Sequence, residues 1–158
     1  MYQIGDKIVY PLYGAGTIEE IEKKEIDGEN LFYYVLIIPI GNLKIKLSAV
    51  KAESLLVRPV HSVKNLTSFL TDSICIKVTM PNNWNLRYKE NMERIKTGDT
   101  TQVALVFYSL LMRERERGLS TAEKKMMTNT KQILLSEIML SMNLNRIEAE
   151  NSLNNIFK

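Results

Sequence analysis

The chain has 158 residues, 45% hydrophobic and 25% charged, which is globular composition with room for one ordinary domain or two small ones. Its single cysteine, Cys75, excludes an internal disulfide framework and a multi-cysteine zinc site. The formal charge of +3 is unevenly divided: residues 1–58 hold seven Lys/Arg against eight Asp/Glu, a net −1, and the remainder carries +4. A surplus that small does not hold a protein on nucleic acid unaided, so such a contact would need a tether.

The opening MYQIGDK lacks the charged-then-apolar layout of a signal peptide. The longest apolar run, LFYYVLIIPI at 31–40, falls short of the roughly 20 residues of a membrane span, so a soluble cytoplasmic protein is expected. Up to residue 58 the chain reads as short strands. DKIVYPL (6–12) alternates, GAGTIEEIEKKEI (14–26) sets Ile18 and Ile21 among polar residues, and FYYVLIIPI (32–40) is aromatic and β-branched. LKIKLS (43–48) has period two, with Leu43, Ile45 and Leu47 on one face and Lys44 and Lys46 on the other. Asp27-Gly28 and Gly41-Asn42 are hairpin turn signals. With SLLVRPV (54–60) as a fifth strand, residues 1–58 predict a small Tudor/SH3-like half-barrel whose thin core leaves edges open to a partner strand.

After Pro59 the pattern turns helical, giving an α+β chain with a compact all-helical domain over 61–158. HSVKNLTSFL (61–70) spaces Val63, Leu66 and Leu70 as a helix, and TDSICIKVTMPNN reads as loop. A helix is expected from Trp84 to about Lys96, where Thr97-Gly98-Asp99 breaks it. The pairs Asp99/Gln102, Ser120/Glu123 and Asn145/Glu148 have capping-box spacing and open three more. The first carries Val103, Val106, Phe107, Leu110 and Leu111 and stops at Gly118. The second runs through Met126, Met127, Ile133, Leu134 and Ile138, and the third packs Ile147, Leu153 and Ile156.

Catalytic patterns are thin. His61, the sole histidine, has no cysteine or paired carboxylate near it and reads as a linker or surface residue. GAG at 14–16 lacks the Lys-Ser/Thr of a phosphate loop and precedes a strand, so it reads as a tight turn. Cys75 reads as a partly buried inert thiol, and RERER (113–117) as a solvated helix face. No enzyme activity, metal or cofactor is expected. The single tryptophan is more informative. Trp84, Tyr88, Met92 and Ile95 share one helical face, which would make Trp84 the end of a core stripe. Yet it follows Pro81-Asn82-Asn83 and is flanked by Arg87 and Lys89, the arrangement of a ring that stacks on a base while cations hold phosphates.

Four segments, GDKIVYPLYGAGTIEEIEKKEIDGE, GNLKIKLS, NWNLRYKENMERIKTGD and RERGLSTAEKKM, together resemble the CarD (CdnL-like) family of bacterial transcription regulators over nearly the whole chain. The N-terminal part is similar to the polymerase-interacting module of the transcription-repair coupling factor, without that protein's motors. The resemblance implies a half-barrel that binds the β subunit of RNA polymerase, and a helical domain that contacts promoter DNA at the upstream edge of the transcription bubble. It implies that Trp84 wedges into the minor groove there and that Arg87 and Lys89 face DNA. Lys124, Lys125 and Lys131 would be further phosphate contacts. Lys24 and Lys46 take the polymerase-binding positions where better-known members have arginine, keeping the charge but losing the bidentate fork. The family's founding member has a C-terminal DNA-binding tail that is not expected here. A nucleoid-associated monomer is expected, with a domain-swapped dimer through the edge strands as the alternative. The competing reading is a protein-interaction adaptor without DNA contact, its Trp84 buried in the core. An RNA-binding role in translation is opposed by the −1 charge of the barrel.

Overall fold

The computed structural model describes residues 1–158. Five strands, β1 (Lys7–Tyr10), β2 (Gly14–Ile26), β3 (Glu29–Ile38), β4 (Leu43–Ser48) and β5 (Arg58–Pro59), form one antiparallel sheet in the order β4-β3-β2-β1-β5. The sheet is open, a Tudor-like half-barrel. Ile26 pairs with Glu29 across a two-residue turn in which Asp27 (φ 51) and Gly28 (φ 79) are both left-handed, the geometry that matches strand twist. The fifth strand is shorter than the sequence predicts. Residues 49–56 are taken up by turns, and only Arg58 and Pro59 reach β1, opposite Val9 and Ile8. Pro59 has no N–H to give, and the last bond to β1 comes from the Val60 N–H to the Lys7 carbonyl at 3.0 Å. Alternation puts Ile8, Ile18, Tyr34, Leu36 and Leu47 on the inner face, with Ala52 completing this small core.

Five helices follow: α1 (Val63–Cys75), α2 (Trp84–Lys96), α3 (Thr100–Glu116), α4 (Thr121–Met142) and α5 (Arg146–Ile156). Helix α1 runs on through TDSIC, which the sequence assigns to loop. Buried Ser73 satisfies its hydroxyl on the Leu70 carbonyl at 2.6 Å, so its polarity does not stop the helix. Cys75, the last residue of α1, is exposed rather than partly buried. Asp99, Ser120 and Asn145 all cap as expected, but only Asn145/Glu148 forms the reciprocal box. Gln102 accepts from Arg94 instead, and Glu123 accepts from Arg87. Leu66, Leu70, Ile95, Val106, Leu110, Leu134, Ile138 and Leu153, drawn from all five helices, make the main core.

Sheet and bundle meet along α4. The Ala15 N–H donates to Ser136 Oγ at 2.9 Å, and a Cβ on Gly14 (φ +115) would lie 2.7 Å from that same oxygen. Gly14 and Ala15 are thus the strand's close approach to α4, Gly16 packs against Ile37 and Ile38 of β3, and the turn expected there lies just before them, at residues 11–13. At the next position of α4, Glu137 joins four segments. Its carboxylate accepts from Arg58 Nη1 (2.8 Å) and Nη2 (3.0 Å), from the Thr100 hydroxyl (2.9 Å) and from the His61 N–H (3.1 Å). Arg58 Nε also donates to the Gly98 carbonyl, and the Ser141 hydroxyl to the His61 carbonyl. Burial alone would raise the Glu137 carboxyl. The Arg58 hydrogen bonds and charge, with the His61 N–H and the Thr100 hydroxyl, outweigh burial and hold it below its ordinary value.

A carboxyl depressed in the folded state stabilises above the ordinary carboxylate range and ceases to do so as pH falls through its folded pKa. Glu137→Gln should therefore lower Tm at pH 7 by about 6–12 °C, the equivalent of about 3 kcal/mol for a broken buried pair. In calorimetry from neutral to acid pH the variant should also show a shallower acid fall than wild type. Parallel acid limbs would contradict this role.

Candidate nucleic-acid interface

Trp84 is the first residue of α2, behind Asn83, whose side chain caps the helix by accepting from the Leu86 N–H at 3.0 Å. Trp84 is 42% exposed. One ring face lies against Tyr88, centroids 5.8 Å apart at 27°, and the indole N–H donates to Ser120 Oγ at 2.9 Å. Along the stripe predicted from sequence, Tyr88 and Met92 are half-buried and Ile95 is buried, so burial begins one turn after the tryptophan. The reading that buries Trp84 in the core is not met. Leu86, two residues on, is also exposed.

Ser120 is the N-cap of α4, so its bond to Trp84 brings two helix N-termini together. The first turn of α2 has no acidic residue, and the only acid in the first turn of α4, Glu123, is already paired with Arg87. Two positive helix ends without a free carboxylate between them favour an anion. Lys124 and Lys125 are exposed and line a polar groove of about 330 Å³ with Thr121, Thr128, Asn129 and Gln132. By helical rise they lie about 6–8 Å along α4 from the Trp84 anchor, and Lys131 about 16 Å. Lys131 is half-buried at a separate cavity of about 390 Å³ lined by Phe107, Met127 and Phe157. Lys89 is exposed on α2.

Arg87 differs from the sequence expectation. It is 4% exposed and grips Glu123, itself 2% exposed, through Nε–Oε2 at 2.8 Å and Nη2–Oε1 at 3.0 Å. Nη1 donates to the Pro81 and Asn82 carbonyls, both at 3.1 Å. The guanidinium therefore faces α4 and is not offered to a phosphate in this structure. The Arg87 hydrogen bonds lower the Glu123 carboxyl, aided by the Arg87 charge and the Ser120 hydroxyl and opposed by burial. The same bonds raise Arg87 above its ordinary value. Sequence reading missed Ser120 and Glu123 as members of this site, seeing in them only a helix start.

Lys24 and Lys46 share the outward face of the sheet with Glu20, Glu22 and Tyr33, opposite the barrel core. Lys24 Nζ sits 5.3 Å from the Tyr33 ring centroid, and Lys46 Nζ lies 3.0 Å from Glu22. Exposed pairs of this kind are worth little and exchange readily for a partner's charges. No group of three or more His, Cys, Asp or Glu side chains could hold a metal ion, and no helix is long and apolar enough to cross a membrane.

An open Tudor-like sheet is packed on a helical bundle that presents an exposed aromatic between two helix N-termini, so the chain is built of two parts. The comparisons give both parts a family. The model for the CarD-like/TRCF RID domain matches residues 2–63, and that for the CarD C-terminal domain matches residues 65–154. The putative transcription factor YdeB of Bacillus subtilis (strain 168) is 38% identical over 138 residues, spanning 87% of this chain and 90% of that protein. The chain belongs to the CarD family, a family of transcription factors.

With one tryptophan in the chain, its emission reports this site alone. The emission maximum should be red-shifted, and acrylamide should quench it readily. A blue, protected emission would contradict the exposed placement of the ring.

Proposed function

We propose that this protein regulates transcription by docking its half-barrel on the β subunit of RNA polymerase while its bundle stabilises the open promoter complex. Trp84 props the upstream edge of the bubble, and Lys89, Lys124 and Lys125 hold neighbouring phosphates, with Lys131 at the margin. The observation that carries this reading is the exposed indole held between two helix N-termini, with exposed Lys124 and Lys125 about 6–8 Å further along α4. Unstacking a base step costs about a few kcal/mol, so such a ring works best where the duplex is already opening.

The polymerase side draws its support from the match of residues 2–63 to the CarD-like/TRCF RID domain and from the shared outward face of Lys24 and Lys46. Tethering explains how a bundle of small positive charge acts at promoters, since docking through a short connection raises its local concentration to about millimolar. Only contacts better made to open than to closed DNA shift the balance between the two, and about 1.4 kcal/mol of such difference is tenfold. The chemistry asked of the protein is binding alone, carried out where polymerase works, in the cytoplasm. The adaptor reading loses its premise, because it requires a buried Trp84.

The lifetime of open complexes formed by the cognate holoenzyme, measured after competitor challenge, tests the proposal. Wild type should lengthen it and Trp84→Ala should largely fail to. No effect of a folded, polymerase-bound wild type would refute it. Lys124→Ala with Lys125→Ala should flatten the salt dependence of the stabilisation by about two slope units, one for each phosphate no longer held.

A further inference from the structure

Arg87 sits in the Trp84 helix and carries charge, yet it is closed off from solvent. A buried ion pair adds little stability over a well-packed apolar replacement, because two charges must lose their water. What this one supplies is connection. Through Nη1 the guanidinium ties down the carbonyls of Pro81 and Asn82, the turn that delivers the chain to Trp84. Through Nε and Nη2 it fixes both oxygens of Glu123. Glu123 Oε1 accepts from the Ser120 hydroxyl at 3.1 Å, and Ser120 Oγ accepts from the indole N–H at 2.9 Å. One cation therefore holds the backbone before the tryptophan and, through two intermediates, the polar edge of its ring. Tyr88 stacks on the ring, and Trp84 stays 42% exposed.

We propose that Arg87 and Glu123 are positioning residues that pre-order the Trp84 indole for the DNA fork, and that Arg87 makes no phosphate contact. This rests on the reading of Trp84 given above and deepens it. Ordering the ring before it meets DNA removes a conformational cost from binding. It also reverses the effects expected of two substitutions. If Arg87 held a phosphate, Arg87→Lys would keep most of the effect, and Glu123→Gln, which removes a negative charge near DNA, would strengthen it. If the pair positions the ring, both substitutions weaken it, because lysine lacks the fork and glutamine the charge that the fork grips.

The experiment compares open-complex lifetime and its salt dependence for wild type, Trp84→Ala, Arg87→Lys, Glu123→Gln and the Trp84→Ala/Glu123→Gln double variant. Steady-state anisotropy of Trp84 is read in each free protein that keeps the ring. Ser120→Gly is included because it cuts the link to the indole while leaving the ion pair intact, and glycine is well tolerated at an N-cap. Arg87→Lys, Glu123→Gln and Ser120→Gly should each bring the lifetime to within about twofold of Trp84→Ala, and Glu123→Gln should add less than about twofold once Trp84 is gone. Anisotropy should fall, while the salt slope and binding to polymerase stay at wild-type values. A lifetime kept by Arg87→Lys, a lifetime kept or lengthened by Glu123→Gln, or losses that add in the double variant would overturn the inference. Each of those results leaves the function of Trp84 standing. If Trp84→Ala itself has no effect, the functional reading falls and the inference falls with it.

Discussion

The relation between sheet and bundle depends on one carboxylate. Glu137 gathers Arg58 from β5, Thr100 from the start of α3 and His61 from the connecting segment onto α4. With Ser136 bonded to the backbone of β2 one residue earlier, α4 is fastened to two strands of the sheet. A protein that must touch two partners at once gains from its tether only if the geometry allows both contacts. This seam sets that geometry, fixing where Trp84 stands relative to the outward sheet face of Lys24 and Lys46.

Helix α4 repeats the device at its other end. Glu123, fourteen residues before Glu137, grips an arginine from a different segment in the same bidentate way, and its neighbour Ser120 reaches the indole. Each acid is buried and would be costly unpaired, so loss of either arginine leaves a charge stranded in the interior. The two pairs do different work. One orients sheet against bundle, and the other orients a single ring within the bundle. In the proposed function, a chain with only a modest positive surplus relies on placement more than on bulk charge.

Much of this was legible in the sequence, because local signals carry it. The Asp27-Gly28 turn, the period-two strand 43–48, the N-caps at Asp99, Ser120 and Asn145 and the limits of the Trp84 helix depend on neighbours a few residues apart. What escaped depends on distant partners. Arg87 and Lys89 look alike in a linear reading, and only the meeting with Glu123, 36 residues on, decides which turns inward. Gly14 looks like turn chemistry until Ser136, more than a hundred residues away, supplies the reason for a missing side chain. The fifth strand is short because residues 49–56 are taken up by turns and only Arg58 and Pro59 lie opposite β1 residues, which no periodicity in 54–60 records. The roles proposed for the lysines come from the family resemblance alone, since exposed lysines carry no local signal of what they meet.

The most direct test places a photo-crosslinking amino acid at position 84 of the full chain and irradiates open complexes formed with the cognate polymerase. The account predicts crosslinks to DNA bases at the upstream edge of the bubble, dependent on polymerase and absent when the half-barrel cannot dock. Crosslinks confined to polymerase protein, with the chain still bound through its half-barrel, would contradict it.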